Sequence, residues 1–148
     1  MTAADIMAVA EIRHAVNAHA MTWFPKECCG LLVTGPNGPG AILTHNGIDA
    51  LHDRDPKHYE RTGETGYHLD PAEIVKSEAR GERLVAIFHS HCRVGAYFSD
   101  EDKRQALSPW DEPWFPGIEY VVLDAQEDAV AGFKVFAFDD KTQDFIEV

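Results

Sequence analysis

The segment Leu84–His91 reads LVAIFHSH and combines the most apolar strand pattern of the chain with two histidines at its end. Residues 84–89 are nearly all apolar, which predicts a strand in the middle of a sheet, covered on both faces. Side chains two residues apart on an extended backbone point to the same side. We therefore expect His89 and His91 to present their imidazoles together where this strand ends.

A helix start follows the strand after a predicted loop at 92–98. The residues Ser99-Asp100-Glu101-Asp102 place a capping serine before three acids, which the positive end of the helix dipole favours. Folding this first turn back over the strand end would bring the Asp102 carboxylate to the two imidazoles. Two histidines and one carboxylate leave the fourth position of a tetrahedral ion open, as in catalytic zinc sites.

Each half of this pattern alone has an ordinary structural explanation. Histidines near a strand end often satisfy hydrogen bonds and nothing more, and an acid in the first turn of a helix is stabilised by the dipole. The full pattern arises by chance in only about one in several thousand chains of this size, judging from residue frequencies. The sequence therefore favours a metal site formed by His89, His91 and Asp102.

The rest of the chain predicts a mixed α+β domain around a sheet. Apolar residues at helical spacing, with a cap at Thr2, predict a first helix that Pro25 ends. A second helix is predicted to begin at Asp70-Pro71 and to stop at Gly81. Residues 47–66 and 109–117 are expected to be surface loops. The further predicted strands are Cys29–Thr34, Ala41–Asn46, Glu119–Asp124, Val130–Phe138 and Phe145–Val148.

Composition narrows the class of protein. The 148 residues suit a single domain over residues 1–148, and the net charge of −12 disfavours nucleic acid and anionic membrane surfaces as partners. Cys28, Cys29 and Cys92 make a poor disulfide framework, which suggests a reducing compartment. The sequence shows neither a signal peptide nor an apolar run of about 20 residues. We therefore expect a cytoplasmic protein.

The stretch Phe24–Leu32, FPKECCGLL, extends the pattern upstream of the histidine pair. With Asn46, with Tyr67–Pro71 (YHLDP) and with the histidines and aspartate, it resembles the JAMM (JAB1/MPN/Mov34) metalloprotease family over nearly the whole chain. The resemblance implies a three-layer α+β fold similar to that of cytidine deaminase, with a mixed central sheet flanked by helices. It also implies one Zn²⁺ ion per chain, bound by the two histidines and the aspartate.

The resemblance assigns catalytic roles to two further residues. Glu27 matches the glutamate that is not a ligand and accepts the proton of the attacking water, and Ser99 matches the serine that hydrogen-bonds the oxygen of the tetrahedral intermediate. The residues alone favour a surface acid after a proline turn for Glu27, and only the resemblance reverses this interpretation. For Ser99 the residues favour a helix cap about as much as the catalytic role, and the two are compatible.

The chain departs from the commonest family pattern after His91, where Cys92 stands in place of the proline of many members. This departure bears on substrate preference and removes none of the matched site residues. We interpret Cys92 as a small hydrophobic residue, with an additional ligand or an oxidation-sensitive thiol as the alternatives.

JAMM enzymes hydrolyse the amide bond after the C-terminal glycines of ubiquitin-like proteins, and small single-domain members resemble the prokaryotic branch, which includes the CysO-cysteine peptidase type. The resemblance therefore implies a ubiquitin-like sulfur carrier ending in Gly-Gly as partner, with its tail extended along a sheet edge. The loops 47–66 and 109–117 are candidate walls for that partner. Two alternatives are an isopeptidase that removes a ubiquitin-like modifier from lysine and a non-catalytic MPN-type scaffold. The oligomeric state is not predicted.

Two other enzyme classes fit less well. A cytidine-deaminase-like zinc enzyme needs His-x-Glu with a later Pro-Cys-x-x-Cys, and the sequence contains no such cysteine pair. A thiol hydrolase would use Cys28 or Cys29, but cysteines beside an apolar strand are more typical of a core than of a nucleophile.

Overall fold

A computed structural model describes all residues 1–148 and contains five helices and one six-stranded sheet. The elements along the chain are α1 (Ala3–Met7), α2 (Ala10–Trp23), β1 (Cys29–Gly35), β2 (Gly38–Thr44), α3 (Ile48–Arg54), α4 (Ala72–Ala79), β3 (Arg83–Cys92), α5 (Asp100–Ala106), β4 (Glu119–Ala125), β5 (Val130–Asp139) and β6 (Asp144–Glu147). The strand order is β2-β1-β3-β4-β5-β6. Only β3 and β4 are parallel, so the sheet is mixed.

The prediction of a central, doubly covered strand is confirmed. β3 lies between β1 and β4 and is buried continuously from Val85 to His91. Phe88 packs into a core cluster with residues of α1 and α2, whereas Ile87 packs into a second cluster with residues of α4 and α5. Helices therefore cover both faces of the sheet, and the predicted α+β fold with a mixed central sheet is confirmed.

Gly30 in β1 has a steric reason to be glycine. A Cβ atom at this position would lie 2.3 Å from Cζ of Phe88 and 2.4 Å from the carbonyl oxygen of Ile42. No side chain can be added without moving the backbone of β2 or the buried ring. Glycine therefore allows β1 to pack between its neighbours immediately beside the histidine-bearing end of β3.

The N-terminal region differs from the single helix expected up to Pro25. The cap at Thr2 is present, since its side chain accepts from the Asp5 amide and Asp5 accepts from the Thr2 amide. However, Val9 has an extended backbone with φ −71° and ψ 113°, which separates α1 from α2. The break turns Ile6 and Met7 fully into the core, and this gain in burial explains why the short α1 is separate.

Residues 47–66 are not the continuous loop that was predicted, because they contain α3. The buried Asn46 side chain accepts hydrogen bonds from the amides of Ile48 and His68, each at 3.0 Å, and so holds the start of α3 against a distant segment. Ile48 is the only buried side chain of α3. One buried residue makes no apolar period, and for this reason the sequence pattern did not reveal the helix.

The helix predicted to begin at Asp70-Pro71 is present as α4. Asp70 accepts from the amide of Ala72 at 3.0 Å, and Glu73 in the first turn pairs with Lys76. Gly81 follows the helix with φ +80°, a conformation that glycine adopts without strain. None of the helices combines the length and apolar character needed to cross a membrane.

Candidate metal centre

The three predicted ligands converge at the end of β3. The Nε2 atoms of His89 and His91 lie 3.2 Å apart. The Asp102 carboxylate contacts both rings, with Oδ1 3.2 Å from Nε2 of His89 and Oδ2 3.1 Å from Nε2 of His91. All three side chains are buried, at 0%, 4% and 8% exposure in the order of the chain. The alternation of an extended strand, which predicted this juxtaposition of the imidazoles, is therefore present in the structure.

Glu27 completes the cluster from a different strand. It precedes β1 and is 5% exposed, and one ligand atom each from Glu27, His89 and His91 lie within 4.8 Å of one another. Cys29 pairs with His89 across β1 and β3, and this register carries the preceding residues to the histidine end of the sheet. Glu27 is therefore not a surface acid, and it lies close enough to the imidazoles to act on the same bound species.

The position of Asp102 follows from the capping of α5. The Ser99 hydroxyl accepts from the Asp102 amide at 3.0 Å, and the Ser99 amide donates to Oδ2 of Asp102 at 3.0 Å. Burial alone would raise the pKa of Asp102. The charge of His89 and the hydrogen bonds from both imidazoles and from the Ser99 amide together hold that pKa well below its usual range. Asp102 is therefore an anion whose orientation is set by the helix start.

The two carboxyl groups of the cluster are in opposite states. Burial, with a smaller contribution from the negative charge of Asp102, raises the pKa of Glu27 to about 9, although Arg61 partly offsets the rise. Glu27 thus holds a proton at neutral pH when no cation is nearby. A buried group whose pKa lies close to neutral pH or above is typical of residues that transfer protons.

The two imidazoles are supported in different ways. Nδ1 of His91 lies 3.3 Å from the carbonyl oxygen of Gly95, which can accept its proton; a neutral ring protonated there would have Nε2 free to bind a metal ion in place of the hydrogen bond to Asp102. Nδ1 of His89 has no partner within the protein. The His89 ring instead stacks on Tyr67, with 4.5 Å between centroids and 20° between planes. Tyr67 therefore orients His89 through its ring rather than through a hydrogen bond.

The donor set fits a divalent metal ion. If both Nε2 atoms were unprotonated, their electron pairs would face each other at 3.2 Å beside a carboxylate, and a cation between them relieves this repulsion. A tetrahedral ion with bonds of about 2.0–2.1 Å keeps its ligand atoms roughly 3.3 Å apart. The separations of 3.1–3.2 Å among His89, His91 and Asp102 match this value. The buried Glu27, His89 and His91 group could thus hold a metal ion, with Asp102 in direct contact with both rings.

The cysteines do not form a nucleophilic site. Cys28 and Cys29 are fully buried, and burial raises the pKa of the two thiols to about 12 and about 11. Such thiols are protonated at neutral pH and therefore poor nucleophiles. Cys92 is half-buried, and burial raises its pKa to about 11. Its interpretation as a small hydrophobic residue stays a prediction.

Three supporting residues were missed by sequence reasoning. Ser90 lies between the histidines but points to the opposite face, where its hydroxyl accepts from the Cys28 amide at 2.8 Å. The Asn46 amide group donates to the carbonyl oxygen of Glu27 at 2.9 Å. Tyr67 stacks on His89. Asn46 and Tyr67 lie in stretches that resemble the JAMM family, so the resemblance pointed to these two positions. It did not predict which residues they contact.

The sequence matches the family model described as prokaryotic homologs of the JAB domain over residues 9–134, a range that includes all the cluster residues. None of the curated proteins matches the chain significantly.

Solved structures show a related fold. The solution structure of a protein from Desulfitobacterium hafniense has a TM-score of 0.60 and 20% identity, with 94% of this chain and 86% of that chain covered. The solution structure of a protein from Salinibacter ruber has the same TM-score and identity, with 95% and 86% covered. At this identity the two structures show the fold alone. On the family match over residues 9–134, the chain belongs to the prokaryotic homologs of the JAB domain.

Proposed function

We propose that this protein is a zinc-dependent peptidase that hydrolyses the amide bond after the C-terminal Gly-Gly of a ubiquitin-like sulfur carrier. The observation that carries the proposal is the buried convergence of His89, His91 and Asp102 at 3.1–3.2 Å, with Glu27 beside them. A scaffold that only binds partners has no need to bury two carboxyl groups against two imidazoles, because burying charged groups is costly.

His89, His91 and Asp102 would bind the ion. When bound, the ion would supply Lewis acidity and lower the pKa of a bound water towards neutrality. The chain contributes an arrangement of donors that is already formed, since β3 sets the two rings and the start of α5 sets the carboxylate. Support by Gly95 and Tyr67 keeps the rings in place.

Glu27 would transfer the proton. It accepts a proton from the attacking water, the water oxygen forms a bond to the acyl carbon, and the carbon–nitrogen bond breaks as Glu27 gives the proton to the leaving amine. The raised pKa of Glu27 supports this second step, because a carboxyl group that retains a proton is a better acid for the amine. A nearby cation lowers the same pKa and so favours the first step.

Ser99 would stabilise the oxygen of the tetrahedral intermediate. Its hydroxyl oxygen already accepts from the Asp102 amide, which leaves the O–H free to donate towards the reacting carbonyl oxygen. A hydroxyl held by a helix start is pre-oriented, and a donor of this kind acts mainly in the transition state. The role of helix cap and the role of hydrogen-bond donor are thus compatible.

The test is to measure metal content and cleavage together. We expect purified protein to contain close to one zinc per chain, and incubation with carriers ending in Gly-Gly followed by an added residue should give the mass of the shortened carrier. Glu27→Gln should retain zinc and lose cleavage. A chelator should abolish cleavage, whereas iodoacetamide should leave most of it. Unchanged cleavage in Glu27→Gln would remove Glu27 as the base.

A parallel incubation separates the peptidase from the isopeptidase. A carrier joined through Gly-Gly to a lysine side chain offers the alternative bond, and intact mass measurement identifies which of the two is broken. Cleavage of the lysine conjugate alone would replace the proposed activity by isopeptidase activity. Absence of zinc and of cleavage on both substrates would favour the scaffold.

A further inference from the structure

A groove of about 430 Å³, lined in part by proline and aromatic side chains, lies at the end of the sheet away from the metal centre. One wall comes from the segment 111–118, between α5 and β4, and the other from 137–145, around the turn between β5 and β6. In β4, Tyr120 borders the groove, whereas Asp124 pairs with His91. Four residues of a strand span about 13 Å. The groove is therefore separate from the metal centre, and none of the metal-centre residues lines it.

Tyr120 brings an unpaired hydroxyl to this groove. The residue is 4% exposed, and its ring packs against Phe98 and Phe145 with centroids 5.2 Å and 5.7 Å away. No residue of the chain forms a hydrogen bond with its hydroxyl. Because buried hydroxyl groups are usually hydrogen-bonded, a hydroxyl without a partner beside an open groove is available to a ligand. It can donate to the carbonyl oxygen of a peptide.

The loop that forms one wall of the groove also carries two exposed indoles. Trp110 and Trp114 are 79% and 55% exposed. The loop is well ordered by its own hydrogen bonds, since the Ser108 amide donates to the carbonyl oxygen of Glu112 at 2.7 Å. The Trp114 amide donates to the carbonyl oxygen of Ala106 at 3.0 Å. Large aromatic side chains that a structured loop holds in solvent are typical of protein-binding surfaces.

The charges that line the groove are negative and unpaired. Asp111, Glu112 and Asp140 line it together with no lysine, arginine or histidine, and Lys141 is the adjacent cation in the turn. None of the three acids forms an ion pair. A second copy of the chain, with a net charge of −12, would place further carboxylates against them. Charge complementarity therefore favours a basic partner over self-association.

We propose that this groove binds a segment of a partner protein in which an apolar side chain is flanked by lysines or arginines. The apolar side chain packs against Phe115 and Phe138, which are partly buried at the edge of the second core cluster. A backbone carbonyl of the segment accepts from the Tyr120 hydroxyl. The basic side chains lie on the three acids and on the two indoles, which attract cations through their ring faces. The proposal concerns a second binding site and does not depend on the proposed function.

The experiment uses three hexapeptides with blocked ends. The first is Lys-Arg-Leu-Leu-Arg-Lys, the second has serines in place of the leucines, and the third has glutamates in place of the four basic residues. Each is titrated into the full-length protein by calorimetry. We expect the first peptide to bind at least about tenfold more tightly than either of the others, because they lack the apolar contact or the charge attraction.

Nuclear magnetic resonance of the three indole N–H groups locates the bound peptide. Signals of Trp110 and Trp114 should shift on titration of the first peptide. The signal of Trp23 should not, because Trp23 packs against the first core cluster on the other face of the sheet. Equal binding of the three peptides, or a shift confined to Trp23, would overturn the inference.

Two variants test the groove itself. Combining Asp111→Asn, Glu112→Gln and Asp140→Asn should weaken binding of the first peptide about tenfold or more. Asparagine suits position 111, where φ is +62°, because it tolerates this region better than most residues. Tyr120→Phe keeps the ring, removes only the hydroxyl and should weaken binding about fivefold. Unchanged affinity in either variant would overturn the inference.

A matched control removes the same charge elsewhere. Glu11→Gln, Asp53→Asn and Glu78→Gln change exposed acids that do not line the groove. Together they should leave the affinity within about twofold, because exposed charges at a distance are screened by salt. A loss equal to that of the groove variant would reduce the attraction to the overall charge of the protein and overturn the inference.

Two further measurements distinguish other occupants. Sedimentation should show a monomer at the concentrations of the titration, and a dimer whose formation shifts the Trp110 and Trp114 signals would make the occupant a second copy of the chain. A chelator should leave peptide affinity unchanged, and loss of binding with the metal would place the peptide at the metal centre instead. Both contrary results would overturn the inference, and neither depends on whether a carrier is cleaved.

Discussion

Glu27 and Asp102 are two buried carboxyl groups of the same cluster, and their surroundings differ. Asp102 accepts from the Ser99 amide and contacts both imidazoles, so its charge is well compensated. Glu27 lies just before β1 with 5% of its surface exposed, and burial is the main cause of its shifted pKa. The pKa of Asp102 is lowered and that of Glu27 is raised to about 9.

This difference separates the two roles. Carboxyl groups whose environments push their pKa values apart are commonly the acid–base pair of an active site, with the ionised member serving as ligand or stabiliser. Asp102 is suited to bind a cation at every physiological pH. Glu27 is suited to exchange a proton. The residue types alone do not show which carboxyl group has which role. The hydrogen bonds to Asp102 and the burial of Glu27 distinguish them.

The largest expected effect comes from neutralising each carboxyl group in turn. Asp102→Asn should lower zinc affinity by at least about 100-fold and abolish cleavage, because an uncharged amide is a poor ligand for zinc. Glu27→Gln should keep zinc affinity within a few-fold and still lower kcat by about 10²–10⁴. Zinc competition titration and carrier cleavage measure the two. Equal loss of zinc in both variants would show that Glu27 is also a ligand.

The pH dependence of stability should show the same difference in metal-free protein. The folded-state pKa of Glu27 is raised from 4.5 to about 9, so between these values the native state binds more protons than the unfolded state. Stability therefore falls as pH rises through this window, by at most about 1.4 kcal/mol per pH unit. Asp102, with its lowered pKa, adds stability that is lost only as pH falls below about 4.

Chemical denaturation of metal-free protein across pH 4–9 measures this slope. Glu27→Gln should flatten it, and zinc should reduce it because a nearby cation lowers the pKa of Glu27. A slope that persists in the Gln variant would assign the effect to another group.

Removing the Ser99 hydroxyl should have the next largest effect. Ser99→Ala loses the cap that positions Asp102, which costs about 1 kcal/mol of stability, and loses the donor proposed for the oxyanion, which lowers kcat about 100-fold. Thr2→Ala is the matched control, since Thr2 makes the same capping box with Asp5 far from the cluster. It should lose similar stability and no activity. Equal kcat in the two variants would limit Ser99 to a structural role.

The smallest effect is expected from the ring that supports His89. Tyr67→Leu removes the stack at 4.5 Å and should weaken zinc affinity about tenfold, the lower end of the range for groups that orient ligands. Tyr67→Phe keeps the ring and should bind zinc as the wild type does. Zinc titration of the two variants makes the comparison. Equal weakening by both would indicate that the hydroxyl, rather than the stack, supports His89.

Local patterns in the sequence were sufficient for much of the fold. The apolar run of β3, the two-residue spacing of His89 and His91, and the cap at Ser99 each depend on neighbours along the chain, and the structure contains all three. The sequence patterns failed where the deciding contact was distant. The start of α3 depends on Asn46, and the break at Val9 depends on burial of α1 under the sheet.

The sequence by itself determined the pair of imidazoles and the carboxylate, because strand alternation and helix capping are properties of short segments. Only the tertiary structure decided the surroundings of Glu27 and the stack of Tyr67 on His89. These depend on the insertion of β1 between β2 and β3 and on the register that sets Cys29 opposite His89. Burial and electrostatic environment arise from residues far apart in the chain, and no short segment of sequence encodes them.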